Sequence, residues 1–258
     1  MYDSHELFTE TPELNNRYLT KFIWKIIERS CIKKANAIMT VCNSISEILN
    51  EKYNINCYVI RNLPLKIHQF NNIPLSTIKP KILLYQGAIN KDRGLEQLVG
   101  AMQYIKGCEL HIAGKGDIDN KIRNLAKELN VINKVIFHGR LLPNDLKQLT
   151  SRATLGFSIE LPSCDSYKFA LPNKLFDYIQ SNIPVVISNL PEMRKIIEKY
   201  NIGFICEDIS PTGLSSLIND IISNINLLKE KKEKCKLAAA ELCWEKESSK
   251  LIEIYKNL

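Results

Sequence analysis

The sequence predicts an α/β protein built on a doubly wound, parallel sheet. From residue 81 onward, short apolar runs that would each form one buried strand alternate with amphipathic helical stretches. That alternation is typical of parallel sheets with helices on both faces. Glycines follow the runs at 82–86, 109–113 and 134–138, at the carboxyl ends where open α/β sheets bind ligands. At 258 residues the chain is long enough for one or two domains with a sizeable core.

Composition narrows the function classes. The chain is 45% hydrophobic and 24% charged, as is usual for a globular protein, and no apolar run approaches the length of a membrane span. The N-terminus lacks a signal-peptide pattern, so we expect a cytoplasmic protein. The eight cysteines are scattered without a Cys-x-x-Cys pair, which indicates reduced thiols and neither disulfides nor metal ligands. A net charge of +7 suits phosphate-bearing ligands or an anionic membrane surface and is too diffuse to indicate nucleic acid.

The N-terminal part of the chain predicts a smaller α/β unit. Its predicted elements are a strand end and loop at 1–8, a helix at 17–34, a strand at 37–41, a helix at 44–53 and a strand at 57–61. The first helix carries an apolar stripe formed by Leu19, Phe22, Ile23, Ile26 and Ile27, with Arg17, Lys21, Lys25 and Arg29 off the stripe. We expect this stripe to pack into the core. The alternative is a basic helix that, with the Lys-rich run at 229–236, lies peripherally on the anionic inner face of a membrane.

Six strands are predicted in the second part of the chain. They lie at 82–86, 109–113, 134–138, 154–159, 184–188 and 202–206. Asn and Pro clusters without periodicity mark 66–80 as a linker. The expected organisation is therefore a small α/β unit at 1–65, the linker at 66–80, a doubly wound domain at 81–228, and C-terminal helices at 229–258 that pack back towards the N-terminal part.

The stretch at 169–188 holds the strongest candidate site. Pro172 fits the first turn of a helix, and Asn173 and Asp177 fall one turn apart beside its N-terminus. The free N–H groups and partial positive charge there can hold a phosphate, and the carboxylate could accept hydrogen bonds from ribose hydroxyls. Lys174 opposes the helix dipole, which is easier to understand if an anion is bound. From these residues alone, an ordinary αβ unit with a solvated Asp177 is an equal alternative.

Loops after three predicted strands hold further candidates. In the loop at 87–94, Gly87 permits close backbone approach to a ligand, and Arg93 could pair with a diphosphate, although it could equally be a solvated surface charge. Gly114 and Gly116 form a Gly-x-Gly loop, which is a weak signal and also fits a tight turn. His138, at a strand end, is expected to be structural.

The stretch Pro-Asn-Lys-Leu-Phe-Asp-Tyr at 172–178, followed by Pro184-Val-Val, resembles the core motif of family four (group 1) glycosyltransferases. The resemblance covers nearly the whole chain and implies the GT-B architecture of two facing Rossmann-like domains. It implies that 1–65 is a partial N-terminal Rossmann-like domain on the acceptor side and that 81–228 is the nucleotide-sugar-binding Rossmann-like domain. It implies transfer of a sugar, with retention, from a UDP- or GDP-sugar donor to a saccharide or lipid-linked acceptor in cell-surface polysaccharide biosynthesis. No cofactor and no obligatory metal are implied.

The resemblance also implies roles for individual residues. The catalytic candidates are His5, Arg93 and Lys174. The nucleotide-sugar-binding candidates are Gly87, Lys91, Gly114, Gly139, Leu141, Pro172, Asn173 and Asp177. The motif departs from the family at two places. Ala88 stands where an arginine is usual, with Lys91 as its substitute, and Phe169 stands where many members have a second glutamate, with Asp165 as the stand-in.

Family members are usually longer than this chain, so the first part of the N-terminal domain would be absent. An open sheet exposes an edge and an apolar face, so we expect a partner chain or self-association to complete it. The alternative function is a non-catalytic nucleotide-sugar-binding remnant or subunit. A sugar-nucleotide 2-epimerase shares the architecture, but the motif at 173–177 argues against it.

Overall fold

The computed structural model describes residues 1–14, 16–67 and 80–258. These residues form two parallel sheets, as the sequence predicts. The predicted linker lies mostly outside the described residues and stays a prediction.

The smaller sheet has the strand order β1-β2-β3, with all pairs parallel. Each of its strands is three residues long, and the observed bounds fall within the predicted runs. Two helices, α1 and α2, connect the strands. The elements are β1 (Tyr2–Ser4), α1 (Tyr18–Lys34), β2 (Ile38–Thr40), α2 (Asn43–Tyr53) and β3 (Cys57–Val59).

All six strands predicted in the second part of the chain are confirmed. They are β4 (Lys81–Gln86), β5 (Cys108–Ala113), β6 (Val135–Gly139), β7 (Leu155–Ser158), β8 (Val185–Ser188) and β9 (Gly203–Cys206). Their order in the sheet is β6-β5-β4-β7-β8-β9, and the strand order therefore reverses between β4 and β7. In open α/β sheets the ligand crevice opens at such a reversal, beyond the carboxyl ends of the strands.

Helices cover both faces of the large sheet. The helices that follow β4 in the chain are α3 (Leu95–Ala101), α4 (Asp119–Glu128), α5 (Pro143–Ser151), α6 (Asp165–Lys168), α7 (Asn173–Gln180), α8 (Pro191–Tyr200), α9 (Pro211–Ser223), α10 (Ile225–Ala239) and α11 (Trp244–Lys256). The α3, α4 and α9 helices share one apolar cluster with the strands, and α7, α8 and α10 share another. These six helices turn their periodic apolar residues to the sheet, which is why the alternating sequence pattern identified the layers.

The C-terminal helix α11 packs on the small sheet. Its Ile254 joins a cluster with Met39, and its Glu247 carboxylate accepts two hydrogen bonds from the Arg61 side chain, at 2.7 and 3.2 Å. Burial acts to raise the pKa of Glu247, but the hydrogen bonds and charge of Arg61 outweigh burial and lower it. The chain thus returns to the unit in which it began.

Helix α1 is oriented against expectation. One polar side of the helix faces the protein: Lys21 and Lys25 pair with Glu10, and buried Glu28 accepts a hydrogen bond from Tyr53 at 2.6 Å. The predicted apolar stripe faces outward, and its members Leu19, Phe22, Ile23, Ile26 and Ile27 are 41–74% exposed. The expectation that this stripe packs into the core is wrong, because the ion pairs dock the opposite side of the helix. None of the helices in the described ranges has the length and apolar run needed to cross a bilayer.

Candidate functional site

The crevice at the strand reversal is built by two loops that fit tightly together. The Leu161 N–H, just beyond β7, donates to the carbonyl oxygen of Asp92 at 2.9 Å. Gly94 immediately precedes α3 and has φ 74°, and a Cβ there would lie 2.2 Å from the Ile159 carbonyl oxygen. Only glycine permits this conformation and approach. The two loops therefore hold Arg93 beside Glu160, the second residue after β7.

Three predicted glycines lie in a row across the ends of β4, β5 and β6. The Gly87 N–H donates to the Ala113 carbonyl at 3.0 Å, and the Gly114 N–H donates to the Gly139 carbonyl at 2.8 Å. A Cβ on Gly114 would lie 1.8 Å from the Gly87 carbonyl oxygen. Backbone packing between neighbouring loops thus accounts for Gly114, which supports the tight-turn interpretation of the Gly-x-Gly pattern.

Helix α7 presents its N-terminus to the same crevice. Pro172 takes the position before the helix, with extended backbone, and the helix begins at Asn173 rather than at the proline. Asn173 is exposed at this end, whereas Lys174 is buried. The predicted apolar face of α7 is buried in the sheet cluster. The side chain of Lys174 passes close to the β4 loop, since a Cβ on Gly87 would lie 4.0 Å from its Cδ.

Arg93 and Lys174 meet at a carboxylate that the sequence analysis missed. The Lys174 Nζ lies 2.7 Å from Glu160 Oε1, and the Arg93 Nη1 lies 3.6 Å from the same oxygen. Glu160 is fully buried, and its Oε2 accepts a hydrogen bond from Ser158 Oγ at 2.9 Å. Lys174 therefore already has an anion of its own chain near the helix N-terminus, so its position there does not by itself require a bound ligand.

Aromatic rings hold the two cations from the other side. The Lys174 ammonium lies 4.3 Å from the ring centroid of Tyr85, and the Arg93 guanidinium lies 4.3 Å from that of Tyr167. Both distances fit cation–π contacts. Burial acts to lower the pKa of Lys174 and to raise that of Glu160, but their mutual attraction outweighs burial in each case, so the pKa of Lys174 is raised and that of Glu160 lowered. Both groups are therefore charged at neutral pH.

A cavity of about 270 Å³ opens between the two sheets at this cluster. Its walls include Arg93, Pro172 and Asn173 from the large unit and His5 from the small one. The predicted residues Arg93, Pro172, Asn173 and His5 are thereby brought together. His5 is 60% exposed at its side chain, and its Nε2 lies 3.1 Å from the Asp3 carboxylate.

Asp177 faces a second cavity, of about 360 Å³, which it shares with Leu141. Its carboxylate accepts a hydrogen bond at 3.1 Å from Nε2 of Gln86, the residue directly before Gly87 in the chain. Burial raises the pKa of Asp177, against the lowering effect of that hydrogen bond. The alternative of a fully solvated Asp177 does not hold, because the side chain is partly buried and oriented by Gln86. The predicted site residues are thus divided between two cavities.

The remaining predicted residues lie outside the cation cluster. Lys91 is exposed on the β4–α3 loop, and Asp165 is exposed on α6. Phe169 packs towards the cluster of the small sheet. His138 hydrogen-bonds His111 at 3.0 Å, and burial and that neighbour lower its pKa, which fits the structural role expected for it. Within the described residues, no group of three or more His, Cys, Asp or Glu side chains could hold a metal ion.

The comparisons with known proteins agree with this architecture. An uncharacterised glycosyltransferase of Haemophilus influenzae is 22% identical over 232 residues, which are 88% of this chain and 62% of the relative. One from Methanocaldococcus jannaschii is 26% identical over 147 residues, 56% of this chain and 36% of the relative. The chain therefore spans less than two thirds of the length of either curated relative.

A solved structure shows the same fold. Anabaena HepE, crystallised in complex with UDP, superposes with a TM-score of 0.79 over 100% of this chain and 72% of its own, at 15% identity. The protein thus has an α/β fold of the GT-B type. Residues 68–242, more than half of the chain, match the family described as Glycosyl transferases group 1. The chain therefore belongs to the group 1 glycosyl transferase family.

Proposed function

We propose that this protein transfers a sugar from a UDP- or GDP-sugar to a saccharide or lipid-linked acceptor, with retention, in cell-surface polysaccharide biosynthesis. The observation that carries the proposal is the meeting of Arg93 and Lys174 beside the N-terminus of α7, at the strand reversal of the sheet. Two cations and a helix N-terminus suit a diphosphate. The family membership of the chain and the UDP bound by HepE point to the same ligand class.

In this proposal the chain supplies charge and orientation, and the substrates supply the reacting atoms. The bond between the anomeric carbon and the diphosphate oxygen breaks, the acceptor oxygen bonds to that carbon on the same face, and the acceptor proton passes to the leaving phosphate. Arg93 and Lys174 stabilise the negative charge that develops on the diphosphate, a role that can be the largest contribution to catalysis. Because these side chains provide the positive charge, we propose that no metal is obligatory.

The second cavity and the small unit take the remaining roles. Asp177, oriented by Gln86, would accept hydrogen bonds from the ribose hydroxyls, with Leu141 against the nucleoside. His5 lines the same cavity as Arg93 but comes from the other sheet, so it would face the donor from the acceptor side. The backbone at the strand ends is shaped by Gly87, Gly114 and Gly139. The solvent-exposed side of the site carries Asn173 and Lys91.

Calorimetric titration of the protein with UDP, GDP and ADP tests this proposal. We expect one nucleotide to bind, and we expect Arg93→Ala and Asp177→Ala to lose the binding. Arg194→Ala is the matched control, because Arg194 is a surface arginine on α8 that forms ion pairs with Glu198 and Glu207 rather than with a residue of the proposed site. Absence of nucleotide binding by the folded protein would refute the proposal.

The outward-facing stripe of α1 favours a second candidate, a nucleotide-sugar-binding subunit that needs a partner chain for turnover. Five large apolar side chains on one helix face form a patch that monomeric proteins rarely expose. Sedimentation of the purified protein, and donor hydrolysis or transfer by it, separate the two candidates. Turnover by a monomer would exclude the subunit, and nucleotide binding without turnover until a partner is added would support it.

We also propose cytoplasmic localisation with peripheral contact of α1 at the inner face of the membrane. Arg29 and Lys33 are exposed on α1, whereas Lys21 and Lys25 are tied to Glu10. Binding to vesicles that contain anionic lipid should therefore fall on Arg29→Ala with Lys33→Ala. Lys121→Ala, in an exposed lysine of α4, should leave it unchanged. Absence of vesicle binding at low salt would refute the contact.

A further inference from the structure

We propose that Glu160 is a positioning residue for the donor diphosphate. Its carboxylate holds Arg93 and Lys174 at the head of α7, in the places and in the charge state that the diphosphate requires. The inference rests on the proposed function, since it gives Glu160 a part in the same site. The sequence gives Glu160 no such role, because the two cations reach it from different loops.

The burial of Glu160 is the first observation. Its side chain has no exposed surface, and an ionised carboxylate in that position is costly unless it is paired and hydrogen-bonded. The structure provides both: Lys174 Nζ at 2.7 Å from Oε1 and Ser158 Oγ at 2.9 Å from Oε2. The backbone is held as well, because Ser188 Oγ donates to the Glu160 carbonyl at 2.7 Å. The carboxylate is thus a fixed anchor.

The second observation is the balance of charge. Two cations share one carboxylate, so the cluster retains a net positive charge at the mouth of the cavity that Arg93 lines. Without Glu160, buried Lys174 and partly buried Arg93 would repel each other, and desolvation would favour loss of the lysine proton. Arginine cannot lose its proton in a protein, so Lys174 would be the group to change.

The groups that face Lys174 come from every element packed around it. Glu160 follows β7, Arg93 lies on the β4–α3 loop, and Tyr85 lies in β4 with its ring 4.3 Å from the ammonium. Tyr167, from α6, reaches the cluster through Arg93. Glu160 is the anion among these groups at neutral pH, which is why its removal should change the titration of Lys174.

The test compares the protein with Glu160→Gln, which keeps the shape of the side chain and removes its charge. With ¹³C-labelled lysine, the ε-carbon of Lys174 reports its protonation by NMR, and Lys174→Arg assigns the signal. We expect the titration midpoint to fall by at least about one pH unit in Glu160→Gln, which is a tenfold change in the proton affinity of the amine. Glu247→Gln is the matched control, because Glu247 is also a buried carboxylate held by an arginine and a lysine, on α11.

UDP affinity provides the functional measurement. The UDP affinity of Glu160→Gln should fall about tenfold between pH 7 and one pH unit above its lowered Lys174 midpoint, where about nine tenths of the amine has lost its proton. Over the same interval the UDP affinity of the parent protein and of Glu247→Gln should fall less. An unchanged Lys174 midpoint, or an unchanged pH profile in Glu160→Gln, would overturn the inference. If the parent protein binds no UDP, the proposed function fails, and so does the role of Glu160 in positioning the donor. The lysine titration still decides, independently of UDP, whether Glu160 fixes the charge of Lys174.

Glu160→Asp covers the case in which Glu160→Gln does not fold. It keeps the charge but withdraws the carboxylate by one methylene. We expect the Lys174 midpoint to stay high while UDP affinity falls several-fold, because the cations are charged but displaced. UDP affinity equal to that of the parent protein would contradict the positioning role.

Discussion

The loops after β4 and β5 approach so closely that Gly114 leaves no room for a side chain. Gly114 has φ 156°, and a Cβ there would lie 1.8 Å from the Gly87 carbonyl oxygen and 2.9 Å from the Gly87 carbonyl carbon. The loops cannot simply separate, because the Gly87 and Gly114 N–H groups donate to the neighbouring strand ends at 3.0 and 2.8 Å. We therefore expect Gly114→Ala to displace the backbone at the mouth of the site.

The size of the effect follows from two costs. Overpacking a tight site costs about 1–3 kcal/mol, and a left-handed φ adds about 1–2 kcal/mol for a residue with a Cβ, so about 3 kcal/mol is expected in all. For a chain of this size that lowers the melting temperature by about 6–12 °C. Gly107→Ala is the control, because Gly107 also has a positive φ, 68°, but a Cβ there meets no atom within 4 Å.

Thermal unfolding followed by circular dichroism is the assay, with UDP titration of the same samples. We expect Gly107→Ala to lose about 1 kcal/mol of stability and to bind UDP normally. Gly114→Ala should lose both stability and UDP affinity. A melting temperature of Gly114→Ala equal to that of Gly107→Ala would refute the packing argument. Loss of UDP affinity without loss of stability would mean that the glycine serves the ligand rather than the fold.

Three further predictions follow from other parts of the structure. Burial raises the pKa of Asp177, so the folded state binds the proton of this carboxyl group more tightly than the unfolded state, and the protein gains stability as the pH falls through that pKa. Asp177→Asn should flatten this pH dependence of the unfolding free energy, measured by urea unfolding, and should abolish UDP binding. An unchanged pH dependence would contradict the assignment. Arg61→Met leaves Glu247 buried without its main partner and should cost about 3 kcal/mol, whereas a loss under 1 kcal/mol in urea unfolding would show that α11 is held otherwise. Among the described residues, Cys31 is the cysteine with an exposed thiol, so iodoacetamide should modify it first in the native protein. The thiol of Cys235 is buried and has a raised pKa, so modification of Cys235 as fast as that of Cys31 would contradict the core packing.

Much of the fold could be predicted because its signal is local. Each strand of the large sheet is a short apolar run, and the helices between the strands repeat their apolar residues at the helical period. The elements from β4 to β9 could therefore be predicted without tertiary information. The motif at α7 identified Asn173, Lys174 and Asp177 for the same reason. These residues are close together in the chain, and helical geometry alone places them near one end of the helix.

The missed features depend on contacts between distant parts of the chain. Glu160 acts on Arg93 and Lys174 only because β7 lies beside β4 and the α7 helix begins above both. A charged residue at the end of an otherwise apolar strand was the one signal in the sequence, and it does not name a partner. Helix α1 shows the same limit, because periodicity reveals its apolar stripe but not the side that Glu10 binds.

The central claim is that the crevice at the strand reversal binds a nucleoside diphosphate through Arg93 and Lys174. The most direct measurement is the ³¹P NMR spectrum of UDP during titration with the protein. The account predicts that both phosphorus signals shift or broaden on binding, and that the effect is lost in Arg93→Ala but retained in Arg194→Ala. Phosphorus signals that stay unchanged with the folded protein, or that respond equally with Arg93→Ala, would contradict it.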